Sequence, residues 1–301
     1  MSEFIEALRT QEFLRHALAT GLLVSVACGV VGTYVVTRRI SYIAGAIAHS
    51  VLGGLGAAGY LKAVQGWTWL EPVHGAILAA LMAAALIGLV SLRGSEREDS
   101  VIGAIWAIGM AVGVVFVSKT PGYATDLMRY LFGNILLVSR DDLWLIGALD
   151  LLVVGLGVAF YRQFLAVCFD EEFARLRGVK VEFYYLLLLG LTALTVVLLV
   201  MVVGLVMVIA LLTLPVAVAG HFSRRLWQMM VISTGLCALL TSGGLAVSYS
   251  PDLPPGATII LLAGAVYLLT VVGAGLGKKL YRSASRAGPG QVGNTTGRAG
   301  V

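Results

Sequence analysis

The chain has 301 residues, of which 59% are hydrophobic and only 12% charged. A water-facing domain carries about 25% charged residues, so a soluble globule of this size is excluded. The net charge of +5 sits in short basic clusters between apolar runs. That is a signal of membrane topology, and it excludes nucleic acid as a partner. Cys28, Cys168 and Cys237 are far apart and lack CxxC spacing, so a disulfide framework is not expected.

Residues 1–15, MSEFIEALRTQEFLR, form an amphipathic segment of mixed charge and not a cleavable signal peptide. The first apolar run is expected to act as its own insertion signal. A transmembrane domain over residues 16–282 then follows, and its spans are read by apolar length. The first runs from about His16 to Thr37 and is closed by Arg38 and Arg39. The second, Tyr42 to Leu61, is rich in Gly and Ala. Val73 to Leu92 and Val101 to Val117 are the third and fourth. The stretch Ser118 to Asp142 is polar, and its apolar patch, Tyr130 to Val138, is too short to cross. The fifth span is Leu143 to Tyr161, and a charged cytoplasmic segment over residues 162–182 comes next.

Phe183 to Ala219 is one apolar block of 37 residues, too long for one crossing, and a break at Gly204 divides it into a sixth and a short seventh span. Leu226 to Val247 and Gly256 to Gly277 complete nine spans, and residues 283–301 are expected to be a disordered cytoplasmic tail. With the N-terminus outside, fifteen of the 21 Lys and Arg residues face the cytoplasm and six face outward. The inverse orientation, or a merger at Gly204, violates this positive-inside asymmetry. The fold class is therefore all-α, a polytopic bundle of eight or nine transmembrane helices.

Ionisable side chains inside a span need a reason to be there. His49 lies nine residues into the second span, in AGAIAHSVLGGLGAAG, near the bilayer midplane. Neutral imidazole is a good ligand for zinc and similar cations, although a lone histidine also serves to hydrogen-bond a neighbouring helix. Gly45, Gly53, Gly54, Gly56 and Gly59 leave this helix with bare faces that suit tight packing or the lining of a pathway. Asp252, in SYSPDLPPG at the outer side, reads either as a cation-attracting mouth or as an ordinary turn. The outer Glu71, Asp126, Asp141 and Asp142 read as solvated loop charges, and His74 and His221 fall at span ends. Asp150, inside the fifth span, reads more readily as a structural partner of a neighbouring helix than as a pathway residue. Pro215 is expected to interrupt the seventh span, as at many transport sites.

The charged run Phe169 to Phe183, FDEEFARLRGVKVEF, is helix-compatible and longer than a connection needs. It reads as a docking element for a cytoplasmic partner, or else as a solvated loop. GAGLGKKL, Gly273 to Leu280, is not a Walker A motif, and neither HExxH nor GxSxG occurs. Any ATP hydrolysis must come from another chain.

Five blocks in order carry a family resemblance: GVVGTYVVTRRISYIAGAIAHSVLGGLG, DLMRYLFGNILLVSRDDL, FDEEFARLRGV, GLVMVIALLTLPVAVAGHFSRR and VSYSPDLPPGATIILLAG. Together they cover about Leu14 to Leu280, and they resemble the family-3 ABC permeases that import zinc, manganese or iron(II). The resemblance implies a permease homodimer in a bacterial cytoplasmic (inner) membrane, two cytoplasmic ATPase subunits and an extracytoplasmic metal-binding protein. It implies no permanently bound cofactor, only transported Zn, Mn or Fe. Asp170, Glu171, Ala174 and Gly178 would belong to the element coupling to the ATPase, and His49 and Asp252 to the metal route. Gly45, Gly53 and Pro215 would line it. In many family members an Asp stands where this chain has Gly45, which removes a hard oxygen ligand and favours zinc. Alternatives are a metal chelate or small organic solute as cargo, or an ATP-independent channel or secondary carrier.

Overall fold

Lipid offers no hydrogen-bond partner to backbone amides, so segments that cross it must satisfy them internally. The computed structural model describes residues 2–94, 98–121, 131, 133 and 135–286. Apart from a 3₁₀ turn at Ile135–Leu137, its regular elements are α-helices. They are α1 (Ser2–Thr10), α2 (Glu12–Thr37), α3 (Ser41–Gln65), α4 (Pro72–Leu92), α5 (Glu98–Lys119), α6 (Arg140–Ala159), α7 (Tyr161–Phe169), α8 (Glu171–Leu176), α9 (Val181–Val203), α10 (Leu205–Phe222), α11 (Leu226–Tyr249) and α12 (Pro255–Arg286). Among the described residues, nine of these are long and apolar enough to cross a membrane, namely α2 to α6 and α9 to α12. The break at Gly204 is present. Its φ of 80° and ψ of 161° form a conformation that only glycine adopts without strain, and it separates α9 from α10.

Contacts at the helix ends sort them onto two faces. Arg38, after α2, donates to the Glu171 carboxylate and lies 5.4 Å from the centroid of the Tyr185 ring, while the Tyr185 hydroxyl donates to Ser91 Oγ at 3.1 Å. That gathers the C-terminal ends of α2 and α4 with α8 and the start of α9. On the other face Phe4 packs edge-on against Tyr249, Lys62 pairs with Glu71 at 2.6 Å, and Gly133 lies against Val203 and Gly204. The grouping matches strict alternation of nine spans, with Arg38 and Glu171 on the face assigned to the cytoplasm.

Burial separates a core from a rim. In α2, α3 and α9 more than 70% of the apolar window is buried, whereas α5, α6 and α12 bury less than a quarter of theirs and form the outside of the bundle. Glycine lets the core helices approach. Gly54 of α3 and Gly75 of α4 face each other so closely that a Cβ on either would collide with the other's carbonyl oxygen. Neither obstacle is a side chain that could swing aside. Gly54→Leu is therefore expected to cost at least the ~1–3 kcal/mol of ordinary overpacking, whereas Gly147→Ala, which meets open space on α6, leaves stability unchanged. Melting temperatures of the two purified variants in detergent check this.

Most buried hydroxyls are satisfied locally. Thr33 Oγ1 donates to the Gly29 carbonyl at 2.6 Å and Thr192 Oγ1 to that of Leu188 at 2.8 Å. Other hydroxyl bonds cross between helices, such as Ser233 Oγ to the Gly29 carbonyl, at 3.1 Å, and Tyr34 Oη to that of Gly157, at 2.8 Å. The three cysteines are free and buried.

Three expectations change. Pro215 does not interrupt its span, because α10 is continuous from Leu205 to Phe222 and Pro215 is buried within it. Packed neighbours and hydrogen-bonding side chains make such a proline tolerable in a membrane helix. The solvated-loop alternative for Phe169 to Phe183 does not hold throughout, because Ala174 and Val181 are buried. The last helix runs to Arg286, so the start of the tail, from Ser283, is helical. The remainder of the tail and Asp126 lie outside the described residues.

A candidate intramembrane cation site and its coupling element

α3 starts at Ser41, which places His49 roughly 12 Å along the helix axis, at 1.5 Å per residue. Its Nδ1 is buried and has no hydrogen-bond partner among the described residues. An unsatisfied ring nitrogen in a dry bundle is costly unless something binds it. The ring faces a cavity of about 470 Å³, lined by His49, Met110 of α5, Leu205, Ile209 and Thr213 of α10, and Ile260 of α12, among others. Leu205 and Ile260 belong to the first and second turns, respectively, of helices that begin at the face opposite Arg38 and Glu171. The cavity thus reaches from midplane depth towards the outside. Its wall is almost wholly apolar, so an ion entering it would find few donors other than imidazole and the Met110 thioether.

Gly45, one turn before His49, is covered. The indole of Trp106, on α5, lies against it, stacks on the His49 ring (centroids 4.5 Å apart, planes at 23°) and also meets Tyr42 at 5.5 Å. Gly53 supports helix packing, since a Cβ there would stand 2.8 Å from the Gly109 carbonyl oxygen. It also lines an apolar groove between α3, α4 and α5, which is separate from the His49 cavity. Pro215 follows the lining residue Leu214 but does not itself line the cavity.

Asp252 is exposed in the turn between α11 and α12, with a left-handed φ of 53°. The Leu253 amide bonds back to the Ser248 carbonyl at 3.0 Å. The structure does not bring Asp252 into the His49 cavity. It stands at the outer rim, where aspartate suits a left-handed turn residue. Asp150 is buried on α6, which packs on α2, and is likewise not in the cavity. His74 caps α4: its Nδ1 accepts from the Glu71 amide at 3.2 Å, as a span-end histidine can. Among the described residues no three His, Cys, Asp or Glu side chains cluster as a metal cage would need. A transit site should hold its ion weakly.

On the face assigned to the cytoplasm by the charge asymmetry, the sequence FDEEFARLRGV folds into a capped element. Asp170 Oδ1 accepts from the Phe173 amide at 2.9 Å and starts α8. Gly178, at φ 77°, ends it, and the Val179 amide returns to the Ala174 carbonyl at 3.0 Å. Ala174 is fully buried beneath the helix, whereas Phe169, Phe173 and Leu176 are exposed by 69%, 51% and 86%. Glu171 is tied to Arg38 and Arg175 to Glu182, the latter at 2.9 Å. The element is rigidly held underneath and presents apolar side chains outward, as a docking surface does. Sequence reasoning missed Trp106 and Arg38 as site residues. Only the pairing of separate helices identifies them, Arg38 with Glu171 across 133 residues.

Residues 10–274 match the family described as the ABC 3 transport family. The Chlamydia pneumoniae protein named "Probable metal transport system membrane protein" is 43% identical over 243 residues, which cover 81% of this chain and 83% of that one. The manganese import system permease protein ScaB of Streptococcus parasanguinis is 32% identical over 273 residues, covering 90% of this chain and 94% of its own. The solved structure titled PsaBC from Streptococcus pneumoniae in complex with Fab superposes with a TM-score of 0.79 at 31% identity, covering 89% of this chain and 94% of that one. Nine alternating spans, a capped cytoplasmic element and a match over most of its length agree: this chain belongs to the ABC 3 transport family, as a non-catalytic, multi-pass membrane permease subunit.

Proposed function

We propose that the chain is the permease of an ATP-driven importer that passes divalent metal ions inward across a bacterial cytoplasmic membrane, with zinc favoured. The observation that carries this reading is the His49 side chain, its Nδ1 buried and without a partner among the described residues, in the lining of a cavity that reaches towards the outer face. Imidazole without a carboxylate on the same helical face suits zinc better than manganese. The exposed apolar side chains of α8 would receive an ATPase subunit, and an extracytoplasmic metal-binding protein would deliver the ion to the outer rim near Asp252. A second copy of the chain would close the cavity, which is open on one side, and complete the route as a homodimer. ATP binding and hydrolysis would then rock the pair between outward-open and inward-open forms.

Manganese is the second reading, because relatives such as ScaB are named for manganese import. Uptake of radioactive zinc and manganese by the assembled transporter in proteoliposomes separates the two. Zinc uptake that needs ATP and is at least ~10-fold faster than manganese uptake is expected, one factor of ten being about 1.4 kcal/mol of discrimination. Faster manganese uptake selects the second reading. Uptake only of a metal chelate, or uptake without ATP, rejects both.

A further inference from the structure

Trp106 holds a position that nothing in the local sequence explains. An ideal Cβ built on Gly45 would lie 2.7 Å from its Cζ3 and 3.0 Å from its Cη2, so close that the indole would have to shift to admit it. The six-membered ring of the indole therefore occupies the volume that any side chain at position 45 would need. Residues four apart share a helical face, so this is the volume from which a neighbouring side chain could join His49 in holding an ion. The same indole stacks on the His49 ring with centroids 4.5 Å apart, and Tyr42 backs it at 5.5 Å. His49 is thus clamped between helices with one ring face covered and Nδ1 left unpartnered. One turn along α5 from Trp106, Met110 lines the cavity that His49 faces.

We propose that Trp106 is the specificity-determining residue of the intramembrane site: seated on Gly45 and stacked on His49, it excludes a hard oxygen ligand and orients a lone imidazole for borderline cations. The inference rests on the metal-import reading and adds a cause for the metal preference. Two physical effects act together. An oxygen donor at position 45 and the indole in its present seat compete for one volume, so while Trp106 stays there hard ions such as manganese lose the ligand type they bind best. The electron-rich indole face also favours the imidazole when a bound cation draws charge from it.

The decisive experiment is a double-mutant cycle on the full chain assembled with its ATPase and binding protein. Wild type, Gly45→Asp, Trp106→Ala and the combination of both are compared for the ratio of manganese to zinc uptake. Manganese binding to each purified chain is read separately by electron paramagnetic resonance. Gly45→Asp alone is expected to lose uptake of both metals by ~10-fold or more, or to assemble poorly, because the indole blocks the carboxylate. Adding Trp106→Ala is expected to restore assembly and uptake, to raise the manganese-to-zinc ratio by ~10-fold or more, and to create a manganese signal that wild type lacks. The milder pair Gly45→Ala and Trp106→Phe keeps the test open if the aspartate variants do not fold. Gly45→Ala displaces the indole and should change the wild-type ratio, whereas Trp106→Phe keeps an aromatic face and should preserve it.

An unchanged ratio in every folded variant, or Gly45→Asp transporting like wild type, overturns the role of Trp106 while leaving metal import standing. Wild type that carries neither metal overturns the import reading, and the role of Trp106 falls with it.

Discussion

Replacing His49 by alanine is expected to abolish metal uptake while the transporter stays assembled. The substitution removes an imidazole that lines the cavity and whose buried Nδ1 has no partner among the described residues, and among those residues no acidic side chain lines the cavity to take over. Loss of a group that merely orients a ligand costs a metal site ~10–100-fold, and loss of the ligand itself costs more. Uptake of radioactive zinc should thus fall to the level of empty vesicles. Stability should move little. The ring makes no hydrogen bond through Nδ1 to any described residue, and its main packing partner, the Trp106 indole, remains held by Tyr42. A melting temperature near that of wild type, with unchanged co-purification of the ATPase, separates this outcome from misfolding. Normal uptake by a folded His49→Ala protein would remove the residue from the route.

Much of the bundle was legible because a bilayer imposes length. Spans announce themselves as apolar runs, and the 37-residue block had to be broken somewhere. Gly204 was readable as the break because only glycine tolerates the turn found there. The short helix α8 was legible in part: the run Phe169 to Phe183 read as helix-compatible, and the structure caps it with Asp170 and ends it at Gly178. Properties that arise between helices were not legible. Trp106 stands 57 positions beyond His49 in an unremarkable apolar run, and only the packing of α3 on α5 brings the two rings together. The glycines near His49 read as bare faces, yet Gly45 is covered by an indole and Gly53 by the backbone of α5. Bareness in sequence invites a neighbour as readily as a pathway. Pro215 misled for the opposite reason: a residue that breaks helices in water is absorbed where neighbouring helices hold the chain in place. The charges of Arg162 and Arg175 concealed the apolar face that α7 buries between them.

Ala174 offers the second large effect, at the other end of the chain of contacts. Its methyl group is fully buried under α8, while its neighbours Phe173 and Leu176 point outward. A guanidinium in place of that methyl group has no room and no acceptor, and a buried unpaired charge relocates rather than remaining in the dry. Ala174→Arg is therefore expected to lift α8 off the bundle and to strain the bond between Glu171 and Arg38, which ties α8 to the turn leading into α3. α3 carries His49, so the Arg38–Glu171 pair links α8 to the helix that bears the candidate ion site. The ATPase subunit should no longer co-purify from detergent, and ATP-driven uptake should fall by ~10-fold or more, with membrane insertion and the melting of the spans preserved. Leu176→Asp tests the surface alone. Its side chain is 86% exposed, so the substitution should weaken ATPase capture while α8 stays seated and the Arg38–Glu171 pair stays closed. If Ala174→Arg retains full capture and uptake, α8 is not the element through which ATP hydrolysis reaches the ion; if Leu176→Asp alone leaves capture intact, the partner sits elsewhere on the cytoplasmic face.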